Sequence, residues 1–294
     1  GRLLFSNWTS SNLCGIFVCT TTITMKHAFI FPGQGSQFPG MGKEQYNTSA
    51  FAKKLFEQAN EVLGFRISDI MFDGTEEDLK QTNVTQPAVF LHSVMAFKSI
   101  DGAKPDMVAG HSLGEFSALV ANGTLSFHNA LRLVSIRAKA MQKACELNPS
   151  TMAAILGLAD EKVETICAEV QKETGEVVVA ANFNCPGQLV ISGSIKGIEI
   201  ACERLKAGGA KRALVLPVGG AFHSPLMKAA ADEFEALVKT INIHEAAFSV
   251  VQNVDARPET NGNLLKEKLS RQMPSSVRWC ETIEYMLSQG VDTF

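Results

Sequence analysis

No stretch of about 18 continuous apolar residues occurs anywhere in the 294-residue sequence, which excludes a membrane-spanning helix. Strong charge is missing as well. Charged residues make up 19% of the chain and the formal net charge is -3, so nothing favours whole-surface binding to nucleic acid or anionic lipid. A local basic patch stays compatible with both numbers. None of the 7 cysteines (14, 19, 145, 167, 185, 202 and 280) sits in a C-x-x-C pair or near a histidine at zinc-ligand spacing. No metal site is expected, and the thiols read as free in a reducing cytoplasm. No G-x-x-x-x-G-K-[ST] occurs, which excludes a phosphate-binding P-loop. The loop from Gly33 fails as a dinucleotide fingerprint, because Phe38 stands where the third glycine is needed. There is no internal repeat and no low-complexity tract, and no cofactor is expected.

What is present suffices for a folded enzyme-sized body. Hydrophobic residues are 46% of the chain, enough to bury a sizeable core in one large or two smaller domains. The first 24 residues are rich in Ser and Thr, almost uncharged, and precede Met25. They make a poor signal peptide, since Arg2 is the only basic residue and Gly15 breaks the apolar run 13–18. The expectation is an upstream extension or a cloning remnant. The sequon Asn7-Trp8-Thr9 inside it means little in a cytoplasmic protein.

From Met25 on, residues 27–31 form a short apolar run stopped by Pro32 and Gly33, which reads as a buried strand entering a tight loop. Residues 51–63, 86–100 and 127–145 carry apolar side chains at helical spacing. Residues 106–109 form another strand, followed at once by Gly110 and a helical pattern from Leu113 to Leu119. Between 151 and 218 the order becomes strand, helix, strand, strand, helix, strand, the β-α-β-β-α-β order of a ferredoxin-like unit. Helices over 225–240, 263–273 and 277–289 and a strand over 248–254 complete the chain. The expected fold is therefore α/β: a hydrolase-like parallel-sheet domain, 25–148 and 219–294, with a ferredoxin-like subdomain inserted at 149–218.

Gly110-His111-Ser112-Leu113-Gly114 fits G-x-S-x-G, and an apolar strand before it and a helix after it supply the context of a nucleophile elbow. A plain Gly-Ser turn is the alternative. A serine hydroxyl needs a base to take its proton. Of six histidines, His27, His92, His128 and His244 fall in or beside regular elements, and the His111 side chain should point away across the turn. His223 stands in a Gly-rich connection between a strand and a helix, where catalytic side chains concentrate, and is the preferred base. The loop 33–42 reads as backbone approaching a reacting group or as an ordinary strand exit.

Taken together, Phe31-Pro32-Gly33-Gln34-Gly35-Ser36-Gln37, Gly110-His111-Ser112-Leu113-Gly114-Glu115 and Phe222-His223-Ser224-Pro225-Leu226-Met227 resemble the malonyl-CoA:acyl carrier protein transacylase family. The resemblance runs from about Met25 to the end of the chain and implies the same α/β domain with a ferredoxin-like insert. It implies Ser112 as the nucleophile and His223 as the base. The family orients its histidine with a main-chain carbonyl, and the matching position is Gln272. Backbone N–H groups of Gln34 and Leu113 would form the oxyanion hole. Arg137 matches the arginine that holds the free malonyl carboxylate, with an ordinary structural ion pair as the alternative. Phe222 resembles the malonyl-selecting form of its motif. Asn182, Asn184 and Arg212 match positions near the coenzyme A or pantetheine arm. The cluster Arg204, Lys206, Lys211 and Arg212 is either a solvated face or a dock for an acidic carrier protein.

The partners implied are malonyl-CoA, as substrate, and acyl carrier protein, with neither nucleic acid nor membrane, in cytoplasmic fatty acid synthesis. Family sequences usually continue past Gln289-Gly290-Val291 with a strand, a Gly-Pro-Gly turn and a closing helix, so a shortened carboxyl end is expected here. A serine thioesterase or hydrolase using the same Ser112 chemistry, and a non-catalytic carrier-binding domain, are the competing functions.

Overall fold

The structure, a computed structural model, describes residues 25–102 and 104–294, so the reading of residues 1–24 lies outside the described residues. Strand β1 (Ala28–Phe31) is followed by α1 (Lys43–Thr48), α2 (Ala50–Leu63), α3 (Ile67–Asp73), α4 (Glu76–Lys80) and α5 (Thr82–Lys98). Helices α1, α3 and α4 have 6, 7 and 5 residues. None completes the two turns that would make a 3.6-residue period visible, so the sequence pattern does not reveal them. Helix α5 starts earlier than the pattern suggests and carries Pro87 inside it. Its 17 residues continue past the one N–H that proline removes.

Strand β2 (Met107–Gly110) is buried at all four positions and turns sharply into α6 (Gly114–Ala121). Helix α7 (Phe127–Leu147) then begins where the Ser126 hydroxyl accepts from the Asn129 N–H at 3.2 Å, an N-cap. The chain next builds β3 (Ser150–Leu156), α8 (Asp160–Thr174), β4 (Val178–Cys185), β5 (Gln188–Ser194), α9 (Ile195–Ala207) and β6 (Arg212–Val215). It returns through α10 (Lys228–Thr240), β7 (Ser249–Val251), β8 (Pro258–Glu259), α11 (Gly262–Arg271) and α12 (Trp279–Ser288).

Two sheets result. The first has the order β1-β2-β7-β8, with β1, β2 and β7 parallel and the short β8 antiparallel. The second has the order β4-β5-β3-β6, antiparallel throughout, which is the ferredoxin-like arrangement the strand order implied. Helices α8 and α9 cover that sheet with a core of their own, including Ile155, Val163, Val170, Ile191, Ile198 and Leu205. The larger core lies around α5, α6 and α7 and includes Phe90, Phe116 and Phe234.

The outer edge of β4 pairs with the segment that precedes α12. The Phe183 N–H donates to the Val277 carbonyl at 2.9 Å, and the Val277 N–H donates to the Ala181 carbonyl at 2.8 Å. This pairing holds the segment 275–277, between α11 and α12, against the insert. It matters because that segment reaches the site.

Candidate active site

The turn from β2 to α6 is built on crossing backbones. A Cβ on Gly110 would lie 1.9 Å from the Gly114 carbonyl carbon, and one on Gly114 would lie 2.2 Å from the Phe31 carbonyl oxygen. Only glycine fits either position. Between them Ser112 has φ 51, a left-handed conformation that a side chain disfavours. Among the described non-glycine residues only Ser112, His223 and Ala256 have positive φ. Two of these three are the residues chosen from sequence as nucleophile and base, and backbone strain of this kind gathers at functional sites.

Although 111 residues apart, the Ser112 Oγ and His223 Nε2 lie 2.7 Å apart. The other ring nitrogen, Nδ1, faces two carbonyls, of Ser275 at 3.0 Å and of Gln272 at 3.3 Å. Carbonyls can only accept, so Nδ1 carries the hydrogen and Nε2 is left to accept from the serine. Among the described residues no acidic side chain bonds to the ring. The Ser275 carbonyl, which the sequence reading missed, is the nearer of the two. Burial, then the positive charge of Arg137, push the His223 imidazole down to about 3. The ring is therefore neutral, the form a base requires.

Arg137 is 1% exposed, on the inner face of α7. Its guanidinium donates to Gln86 Oε1 at 2.7 Å, to Gln272 Oε1 at 3.1 Å and to Ser112 Oγ at 3.1 Å, and it lies over the Phe116 ring at 5.6 Å. Among the described residues no carboxylate comes within 4.0 Å of it. Burial lowers its pKa to about 10, against the opposing pull of Glu115. A buried cation held by neutral oxygens lacks the counter-ion that a structural ion pair would supply.

Gln272 joins these parts. Its main-chain carbonyl faces His223, its Oε1 accepts from Arg137, and its Nε2 donates to the Ser112 carbonyl at 2.9 Å. Among the described residues the N–H groups of Gln34 and Leu113 donate to no protein acceptor. Gln34 lies in the loop after β1, whose Gly33 approaches the His111 carbonyl so closely that a Cβ would be 2.7 Å from it.

The remaining candidates scatter. The His111 Nε2 lies 3.0 Å from Asn184 Oδ1 on β4. Asn182, also on β4, has a buried Oδ1 without a partner among the described residues. Phe222 is buried and lines a cavity of about 340 Å³ with Lys80, Gln81, Gln142 and Cys145. Arg212 is exposed on β6, at the opposite edge of the small sheet from β4, and makes no side-chain hydrogen bond among the described residues. Arg204 pairs instead with Glu173 at 2.6 Å on the surface. Among the described residues no group of three or more His, Cys, Asp or Glu is placed to hold a metal ion. Likewise no described helix is long and apolar enough to cross a membrane.

Residues 28–294 match the model of the acyl transferase domain family. The chain belongs to that family. It is 45% identical over 271 residues to the malonyl CoA-acyl carrier protein transacylase of Bacillus subtilis (strain 168), covering 92% of this chain and 85% of the relative. The malonyl CoA-acyl carrier protein transacylase structure from Coxiella burnetii superposes with a TM-score of 0.88 at 37% identity, over 92% of this chain and 86% of that one. A malonyl-transacylase solved in complex with its type II PKS acyl-carrier protein matches with a TM-score of 0.86 at 40% identity, over 90% and 86% of the two chains. These matches place the chain among family members with the fold described above, and the enzyme is an acyltransferase.

Proposed function

We propose that the enzyme moves a malonyl group from malonyl-CoA to the pantetheine thiol of an acyl carrier protein, in two steps through malonyl-Ser112. One observation carries this reading. The Ser112 hydroxyl lies within reach of both a neutral imidazole, at 2.7 Å, and a buried guanidinium without a counter-ion, at 3.1 Å. A donor that suits both groups has a thioester carbonyl and a carboxylate separated by very little carbon. Malonyl, with one methylene between them, has that form.

In the first step His223 Nε2 takes the hydroxyl proton as Ser112 Oγ bonds to the thioester carbonyl. The N–H groups of Gln34 and Leu113 receive the oxyanion, where one lost donor costs about a hundred- to a thousandfold. Collapse breaks the C–S bond, and His223 returns its proton to the departing coenzyme A thiolate. In the second step the carrier thiol gives its proton to His223 and attacks the serine ester, and Ser112 leaves with that proton restored. Arg137 holds the malonyl carboxylate by charge-assisted hydrogen bonds of about 1.5 to 3 kcal/mol each, enough for a hundredfold preference over acetyl. No cofactor enters this chemistry. Asn182 and Asn184 on β4 would lie along the pantetheine arm and Phe222 would border the acyl group, whereas Arg212, on the far edge of the small sheet, stands apart from them.

We read residues 149–218 as a subdomain inserted between 25–148 and 219–294. A role in fatty acid synthesis in the cytoplasm fits the substrates, and cysteines 145, 167, 185, 202 and 280 are all free. Supplying malonyl-CoA with and without a carrier thiol separates transferase from hydrolase. Rapid malonyl-carrier formation with slow malonate release is the expected result; fast malonate release unaffected by carrier would replace the transferase reading with a hydrolase.

A further inference from the structure

Ser112 is held by its main chain as well as by its hydroxyl, and the holder is a residue the chemistry leaves unused. Asn253 lies just past β7 and is fully buried. Its Oδ1 accepts from the Ser112 N–H at 2.6 Å and its Nδ2 donates to the Gly110 carbonyl at 2.7 Å. One amide thus bridges the first and third residues of the elbow. Its orientation is dictated by its partners, since an N–H can only donate and a carbonyl only accept. Asn253 is fixed in turn. Its main-chain N–H donates to Glu115 Oε2 at 2.8 Å, while the other Glu115 oxygen accepts from Gln252 Nε2 at 3.0 Å. Glu115 is fully buried in the first turn of α6, three residues past the serine, so the bonds close a ring from elbow to helix to β7 and back.

We propose that Asn253 is a positioning residue for the nucleophile: it holds the left-handed turn at Ser112 and occupies the Ser112 N–H, so that the elbow presents Leu113 N–H as its open donor. This inference rests on the reading of Ser112 as nucleophile. The Ser112 N–H faces Asn253 and the Ser112 carbonyl faces Gln272, so both peptide groups of a strained residue are pinned by side chains. Releasing one pin lets the hydroxyl leave the 2.7 Å contact with His223. A small misplacement of a reacting atom is costly even where binding is intact.

The test follows acylation of the full chain by malonyl-CoA in single turnovers, read by intact mass, for the wild type, Asn253→Ala and Asn253→Asp. For Asn253→Ala the acylation rate constant should fall about ten- to a hundredfold, with the half-saturating donor concentration changed by less than about threefold. Asn253→Asp keeps the acceptor for Ser112 but donates to Gly110 only when protonated. Relative to wild type its rate should therefore recover as pH falls, which a merely structural role would not produce. That pH profile decides the matter if Asn253→Ala does not fold. A wild-type acylation rate in Asn253→Ala, or a ratio of Asn253→Asp to wild type that does not change with pH, would overturn the proposal. An adduct that persists in Ser112→Ala would instead overturn the reading on which it rests.

Discussion

Between residues 150 and 215 only Ser150 and Ser192 are polar residues buried as a whole, whereas the larger unit buries Glu115, Arg137 and His223 together with Gln86, Gln252, Asn253 and Gln272. The small core is apolar, and its two buried thiols, Cys167 and Cys202, have pKa values raised by burial. The large one accepts a cation with no carboxylate within 4.0 Å among the described residues and a histidine that burial keeps neutral. Burying such groups costs free energy, and only a dense network of hydrogen bonds limits that cost. One sheet therefore stabilises, while the other holds groups ready to react. If this contrast is right, substitutions in the two regions should separate stability from chemistry.

The largest effect belongs to the reacting side. His223→Ala should lower the acylation rate by roughly 10⁴-fold, measured in single turnovers, because no second base lies on the serine. Arg137→Ala should cut kcat/KM for malonyl-CoA by about a hundredfold or more and leave acetyl-CoA nearly unchanged, so the ratio of the two is the quantity to measure. On the other side, Leu205→Ala in α9 should cost about 2 to 5 kcal/mol of unfolding free energy in a denaturant titration. Its acylation rate per folded molecule should match wild type. A chemical defect in that variant would break the contrast.

A pH titration sharpens it further. The His223 imidazole is pushed down to about 3 from an ordinary 6.5, so the folded state favours the neutral ring. Its linked stability is complete above pH 6.5 and is lost as pH falls towards about 3. In His223→Gln that acid-induced loss should shrink by up to a few kcal/mol, on the order expected for a buried group of this shift. The smallest effect is at the surface. Lys206 and Lys211 are exposed beside β6, and reversing both charges should raise the KM for the carrier severalfold without altering the KM for malonyl-CoA. An unchanged carrier KM would return these lysines to the solvated face.

The elements that could be read from sequence were those long enough to show a period or short enough to be bounded by glycine and proline. Helices α2, α7, α8 and α9 and all four strands of the small sheet fall in this group. Helices α1, α3 and α4 were invisible because each is shorter than two turns. The same division holds in the site. Ser112 and His223 stood out because local chemistry surrounds them: crossing glycines in one case and a Gly-rich connection in the other. Gln86, Asn253 and the Gln272 side chain carry no such mark. Their partners are 51, 141 or 143, and 135 or 160 residues away, and an amide in a helix or after a strand has no pattern that announces a partner at such distance. Resemblance supplied Gln272 for its carbonyl alone; the structure adds Ser275 beside it and gives the Gln272 amide a second task, bridging Arg137 and Ser112.

The central claim is that Ser112 takes up the acyl group and Arg137 selects it, and intact-mass measurement after incubation with malonyl-CoA or acetyl-CoA, without acceptor, tests it most directly. The account predicts a malonyl adduct on the wild type that is absent from Ser112→Ala and loses its preference over acetyl in Arg137→Ala. A folded wild-type protein that takes up neither acyl group, or an adduct that survives in Ser112→Ala, would contradict it.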